Sequence, residues 1–135
     1  RKIAVMNDYV ADTHALFWYL IASQKLGPKA KAAFDEAQNG QAFIHISSIV
    51  LAELYYINAK YGSPINYSAE FQSLKAGSQY VLTPLDPEDI VDFDNDLSVP
   101  EMHDRIIVGL ARRLSAPLLT VDKAIAASNL VKVLW

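Results

Sequence analysis

The sequence predicts an α/β domain built on a mostly parallel sheet, and three observations carry that expectation. Short apolar runs alternate with longer helical patterns along the 135 residues, the order that generates strand–helix–strand crossovers. Several of those runs lead straight into a residue that caps helices, as at Asp12, Ser47, Asp86 and Asp122. The composition, 52% hydrophobic and 20% charged, excludes disorder as the main reading and gives enough apolar mass for one core. One domain therefore spans residues 1–135. Met6 is a candidate start, which would make Arg1–Val5 an upstream extension or an expression remnant.

Each element has its own signal. Asp8–Asp12 reads as a first strand and Thr13–Ala22 as a helix that is apolar nearly all round. Gly27 and Pro28 break the chain, and Pro28 suits the first turn of a second helix ending near Gly40. Ala42–Ile46 is a second strand. Ser47 caps a helix through about Tyr61, stopped by Gly62 and Pro64. A short helix over Ser68–Ala76 precedes a third strand, Tyr80–Leu85. Asp86-Pro87-Glu88-Asp89 starts a helix with a cap, a proline and acids facing the dipole. Ser98 and Glu101 are spaced as a capping box for a helix running to about Leu114. Leu118–Val121 is a buried strand, followed by a short helix and a last strand at Val131–Leu134.

Charge and cysteine usage exclude several function classes. The net charge of −3 is unlike a protein that holds nucleic acid through a basic surface. Cysteine is absent, which removes disulfides, thiolate zinc sites and cysteine nucleophiles, and fits a reducing, cytoplasmic location. The longest apolar stretches, Ala15–Ala22 and Ile49–Ala52, are too short to cross a bilayer, and no signal peptide is legible. Eight of the 15 acids fall between Asp86 and Asp104, where no lysine or arginine occurs. The plain reading of Glu88, Asp89, Asp92, Asp94 and Asp96 is a solvated helix face. Lys25, Lys29 and Lys31 form the nearest approach to a basic patch.

Four acids interrupt apolar patterns instead. Asp12 and Asp122 end strands, and in a parallel sheet all strand carboxyl ends share the edge where α/β proteins place ligands. Glu53 is the only charge in Ile49–Ile57. An ionised carboxylate on so apolar a helix costs several kcal/mol unless something compensates it. Asp104 stands six residues after Ser98, as Glu53 stands six after Ser47. Helix N-termini lie at the same sheet edge, so the four can converge. Three also have a plainer explanation: Asp12 and Asp122 as caps, Asp104 as a partner of Arg105 or Arg112; Glu53 has the weakest, since no partner lies within a helical turn. Converging carboxylates repel and raise one another's pKa unless a cation intervenes. All-oxygen ligands favour Mg²⁺ or Mn²⁺, and Mg²⁺ takes only one or two carboxylates directly. Such a site orients a phosphodiester and activates water.

Four stretches carry a family likeness: Tyr9-Val-Ala-Asp12-Thr13-His14-Ala-Leu-Phe-Trp18, Ile46-Ser47-Ser48-Ile49-Val-Leu-Ala-Glu53-Leu, Pro100-Glu-Met-His103-Asp104-Arg105-Ile-Ile-Val and Leu118-Leu-Thr120-Val-Asp122. In order and spacing the chain resembles PIN-domain ribonucleases, and among them VapC-like toxins of toxin–antitoxin pairs. The resemblance covers nearly everything from Met6. It implies an α/β/α sandwich, metal-dependent cleavage of RNA, a homodimer and inhibition by a small antitoxin; since a metal cluster in a cleft needs an accessible backbone, single-stranded or loop RNA is the expected substrate. It implies Asp12 and Asp104 as direct metal ligands, with Glu53 and Asp122 completing the catalytic cluster and Thr13 and Thr120 orienting water there. Relatives often carry an aspartate where this chain has Glu101. Arg105 is left between contacting phosphate and neutralising an acid; His14 and His103 are assigned no catalytic role. The helices Thr13–Ala22 and Ile49–Ile57 are apolar enough to suggest a partner surface as well as a core.

Two rival readings remain beside this one. A phosphotransfer domain using Asp12 as nucleophile would want a second aspartate at position 14, which is His. A PIN-like module that binds RNA or a partner without cutting is opposed by the intact quartet of acids.

Overall fold

The computed structural model describes residues 5–135; most of the segment read as an extension, Arg1–Ala4, lies outside them. Five short strands form one sheet: β1 (Asn7–Ala11), β2 (Ala42–Ser47), β3 (Tyr80–Thr83), β4 (Leu118–Leu119) and β5 (Val133–Leu134). Every pairing is parallel and the order is β3-β2-β1-β4-β5. Among the described residues seven helices connect them: α1 (Thr13–Leu20), α2 (Pro28–Gln38), α3 (Ser48–Lys60), α4 (Tyr67–Ala76), α5 (Pro87–Val91), α6 (Met102–Leu114) and α7 (Lys123–Ser128). A 3₁₀ turn over Asp92–Asp96 joins α5 to the segment before α6.

Successive residues of a strand point to opposite faces, so two buried neighbours mean that both faces are covered. Val10 and Ala11 on β1, and Leu118 and Leu119 on β4, are all fully buried. Helices accordingly lie on both sides: α2 packs on β2, and α6 on β1 and β2. The result is a three-layer α/β/α sandwich. Its core is Phe17, Phe34, Ile44, Ile46, Leu54 and Ile107 together with the central strand residues.

The strand order places the site. From β1 the sheet grows through β2 to β3, and the later strands return to its other side. The reversal lies between β1 and β4, where Val10 is in register with Leu118 and Ala11 with Leu119. Loops leaving the carboxyl ends of these two strands part in opposite directions and open a crevice. Asp12 follows β1 there, its backbone N–H donating to the Leu119 carbonyl at 3.1 Å. Thr120 and Asp122 follow β4.

Several expectations need correction. The capping box at Ser98 and Glu101 does not form. Pro100 disfavours helical backbone at Val99, Val99 is instead buried with its N–H on the Asp96 carbonyl, and the helix starts only at Met102. Glu101 is its cap, accepting from the Asp104 N–H at 2.8 Å. Asp104 thus stands in the first turn of α6. Strand β3 stops at Thr83, because Pro84 has no N–H for the ladder. The acids after Asp86 are not all solvated: Asp89 and Asp96 are buried. Asp96 accepts two hydrogen bonds from Arg112, both at 3.1 Å, and Asp89 and Asp92 hold Arg113. These contacts tie the acid-rich segment to the last turns of α6. Helix α1 does not expose its apolar run either, since Leu16 and Phe17 are buried and Trp18, Tyr19 and Leu20 partly so. On α3, Val50 and Leu54 are buried, whereas Tyr55 and Tyr56 are exposed.

Gly27 marks a close approach between distant segments. The Trp135 carbonyl accepts from the N–H groups of Lys29 (2.8 Å) and Ala30 (3.2 Å) at the start of α2. A Cβ at position 27 would sit 2.3 Å from that oxygen. Gly27→Ala should therefore lose about 1–3 kcal/mol of stability, as overpacked sites do. Urea unfolding checks this, and an unchanged midpoint would contradict the packing described.

Candidate active site

The crevice between β1 and β4 is a cleft of about 320 Å³ with Asp12, Glu53, Asp104 and Asp122 in its wall. The four come from four separate segments. Asp12 caps α1, one oxygen accepting from the Ala15 N–H at 2.9 Å. Asp122 caps α7 in the same way, from Ile125 N–H at 3.0 Å. Glu53 reaches in from the second turn of α3 and Asp104 from the first turn of α6. The cap and the cleft position are therefore not alternatives: one carboxylate oxygen serves the helix and the other stays available.

Burial and mutual repulsion perturb two of these acids. Burial raises the Asp12 pKa, against opposing hydrogen bonds from Thr120 and Ala15 and the nearby charge of His14. Asp104 is pushed up to about 6, first by burial and then by the charges of Asp122, Glu101, Glu53 and Asp12. That Asp104 feels all three other members of the quartet is the electrostatic sign of their convergence. Among the described residues its carboxylate accepts no hydrogen bond and pairs with no cation. Arg112 is held by Asp96. Arg105 donates to the Val99 carbonyl and lies over the Phe93 ring, so it neutralises none of the four.

Supporting contacts explain how the rest are held. Glu53 has no partner within a helical turn of α3; its partners come from other helices. The Thr13 hydroxyl, buried, donates to one oxygen at 2.7 Å, and His103 Nδ1 lies 3.2 Å from the other. Thr120, fully buried, accepts from the Asp122 N–H at 3.1 Å and hydrogen-bonds toward Asp12, a strut between the two strand-terminal acids. His103 is the contact that sequence reasoning passed over. Its only signal was adjacency to Asp104, which says nothing about a glutamate 50 residues away. Ile57, Ile107 and Val121 supply the apolar wall, and exposed His14 stands at the margin. The lysine patch is partly spent, since Lys31 pairs with Asp35 at 2.8 Å.

The donor set suits a hard divalent cation: all oxygen, strongly acidic and repulsive when empty of charge compensation. Among the described residues no three carboxylate or imidazole groups enclose a common point as a complete cage. Mg²⁺ needs none, since it keeps several waters and takes one or two carboxylates. Asp104 accepts no hydrogen bond among the described residues and is the freest to ligate; Asp12 and Asp122 each commit one oxygen to a cap, and both oxygens of Glu53 already have partners.

The raised Asp104 pKa has a consequence for stability. Below the unfolded value of 3.8 the group is protonated in both states, and no penalty exists. As pH rises through the folded value of about 6, the folded state must also ionise and stability is lost. In EDTA, Asp104→Asn should therefore melt a few degrees above wild type at neutral pH, an advantage of about 1 kcal/mol after allowance for solvent screening and lost helix-dipole stabilisation. That advantage should vanish at about pH 3.5. Melting curves across this range check it; equal melting temperatures at neutral pH would contradict the crowding.

Comparison with known proteins agrees with this geometry. The PIN domain family model matches residues 9–128. A comparison with curated proteins finds no match. Among solved structures, the chain is similar to VapBC2 from Rickettsia felis, bound there to a DNA fragment from its promoter, with 19% identity, a TM-score of 0.65, and 95% of this chain and 98% of that one covered. It is also similar to PAE2754 from Pyrobaculum aerophilum, with 16% identity, a TM-score of 0.59, and 96% and 92% covered. At these identities the solved structures speak for the fold. The family match runs from β1 to the end of α7 and takes in every acid of the cleft: the chain belongs to the PIN domain family.

Proposed function

We propose that this PIN domain is a metal-dependent endoribonuclease acting on single-stranded or loop RNA, and the toxin of a VapC-like toxin–antitoxin pair. One observation carries the reading: four carboxylates from four segments share one cleft, and one of them is driven up to about 6 partly by the other three. No structural need of the fold explains that repulsion. The fold likeness to VapBC2 over nearly the whole chain supports the toxin assignment.

Asp12 and Asp104 would hold Mg²⁺ or Mn²⁺, with Glu53 and Asp122 completing the negative field. When bound, the cation supplies charge neutralisation and Lewis acidity for hydrolysis of a phosphodiester. The chain's own residues preorganise the site. The caps fix Asp12 and Asp122, Thr13 and His103 fix the rotamer of Glu53, and Thr120 sets the spacing between the strand ends. Acids set in a cleft need an accessible backbone, as single strands and loops present.

The protein should cleave single-stranded RNA with Mg²⁺ or Mn²⁺ and be silent in EDTA. Asp12→Asn and Asp104→Asn should each lose on the order of 100-fold in rate, since even outer partners of metal ligands are worth roughly 10–100-fold. Saturating Mg²⁺ should stabilise wild type by about 2.7 kcal/mol at 100 times its dissociation constant, and the variants less. Cleavage by metal-stripped protein, or full activity in either variant, would sink the assignment.

The toxin reading also implies a homodimer and an antitoxin whose basic side chain enters the cleft. Tyr55 and Tyr56, exposed on α3 beside Glu53, supply apolar surface for such contacts. Light scattering at tens of micromolar should give twice the chain mass; a strict monomer would contradict the dimer.

A further inference from the structure

We infer that single-stranded RNA leaving the cleft stacks its bases on a platform made by His14 and Trp18, with Lys25 beside it meeting the backbone charge. This rests on the ribonuclease reading above and names where its substrate is held. His14 is exposed and belongs to the cleft wall. Trp18 lies four residues further along α1, on the same helix face, with its ring centroid 5.3 Å from that of His14 and the two planes tilted by 55°, so each ring offers its own stacking surface to a successive base. The inner face of α1 is already filled by Ala15, Leu16 and Phe17. Trp18 is half-buried, one part of its ring packed against the core, while the His14 ring is exposed.

The platform is rigid and charged in the right sense. Trp135 braces Trp18 edge-on at 5.6 Å between centroids. Lys25 Nζ stands 5.9 Å from the Trp18 ring centre. Lys31 is neutralised by Asp35, but Lys25 makes no ion pair among the described residues. Trp18 also borders an apolar hollow of about 260 Å³, walled by Tyr19, Ala22 and Leu26, with room for a nucleobase.

The acidity of the cleft favours such a platform. A protein of net charge −3 with an acidic cleft cannot hold RNA by counterion release alone. Stacking contributes about 1–3 kcal/mol per base, does not depend on net charge and tolerates any sequence. It also selects unpaired strands, because bases in a duplex are already stacked on one another.

Steady-state cleavage of a ten-nucleotide single strand in Mg²⁺ tests this. Trp18→Leu should raise KM about tenfold, the worth of one stacked base, with kcat within about twofold. Trp18→Phe should restore most of the loss, and Lys25→Gln should raise KM and flatten its salt dependence. An abasic nucleotide at the stacked position should raise KM for wild type and add nothing for Trp18→Leu; the wild-type arm does not depend on the variant folding. If wild type cleaves but neither Trp18→Leu nor any abasic position changes KM, the platform is overturned while the ribonuclease reading stands. A surface that serves a protein partner instead of RNA gives that same result. If wild type fails to cleave RNA, the ribonuclease reading falls, and the platform with it.

Discussion

The repulsion among Asp12, Glu53, Asp104 and Asp122 is the constraint around which the rest of the molecule is arranged. Four carboxylates do not drift together. Each must be held by structure whose stability exceeds the electrostatic cost, and each is. Asp12 and Asp122 follow adjacent parallel strands whose paired residues, Val10 with Leu118 and Ala11 with Leu119, are wholly buried. Glu53 is fixed at both oxygens by residues of α1 and α6. Asp104 has no such partner, and it is the one whose pKa rises to about 6. The cost is concentrated on the acid with the fewest contacts, which is also the one freest to take a cation.

Fixing Asp104 falls to the remainder of α6. Its C-terminal half is clamped by Arg112 and Arg113 to Asp89, Asp92 and Asp96, and its middle turns, Ile106–Ala111, are buried. Arg113 holds the Asp92 carboxyl below its usual range, the reverse of what happens at Asp104. The acid-rich stretch after Asp86 thus has two opposite electrostatic ends. One is neutralised by arginines and anchors the helix. The other pairs with no lysine or arginine among the described residues and faces the cleft.

Much of this was legible in the sequence because it is written in local chemistry. Pro28, Ser47, Asp86 and Asp122 mark helix starts through capping and proline geometry, and the observed helices begin beside them. Asp12, Glu53, Asp104 and Asp122 stood out because a charge in an apolar run needs a reason. What was not legible depends on distance in space. The burial of Asp89 and Asp96 requires knowing that arginines some 16 to 24 residues later fold back over them. The Glu53–His103 contact spans 50 residues. The failed capping box at Ser98 shows the limit of spacing rules: the box pattern was present, but Pro100 and the burial of Val99 overrode it.

The choice between helix cap and functional acid, which the sequence left open at Asp12 and Asp122, dissolves in the geometry. A cap uses one carboxylate oxygen, and a cleft position uses the other. The two roles also reinforce each other. A cap holds the side chain in one rotamer, so little conformational entropy remains to be lost when a ligand binds. It draws the carboxylate toward the positive end of a helix, which lowers the cost of keeping it ionised in a crowded site. Asparagine can keep the capping hydrogen bond, since Asn and Asp cap about equally well, but it places a neutral amide in the cleft. Alanine would remove both at once. The same aspartate is thereby a structural residue to its helix and a charge to its cleft, and only a substitution that separates oxygen geometry from charge can tell the two apart.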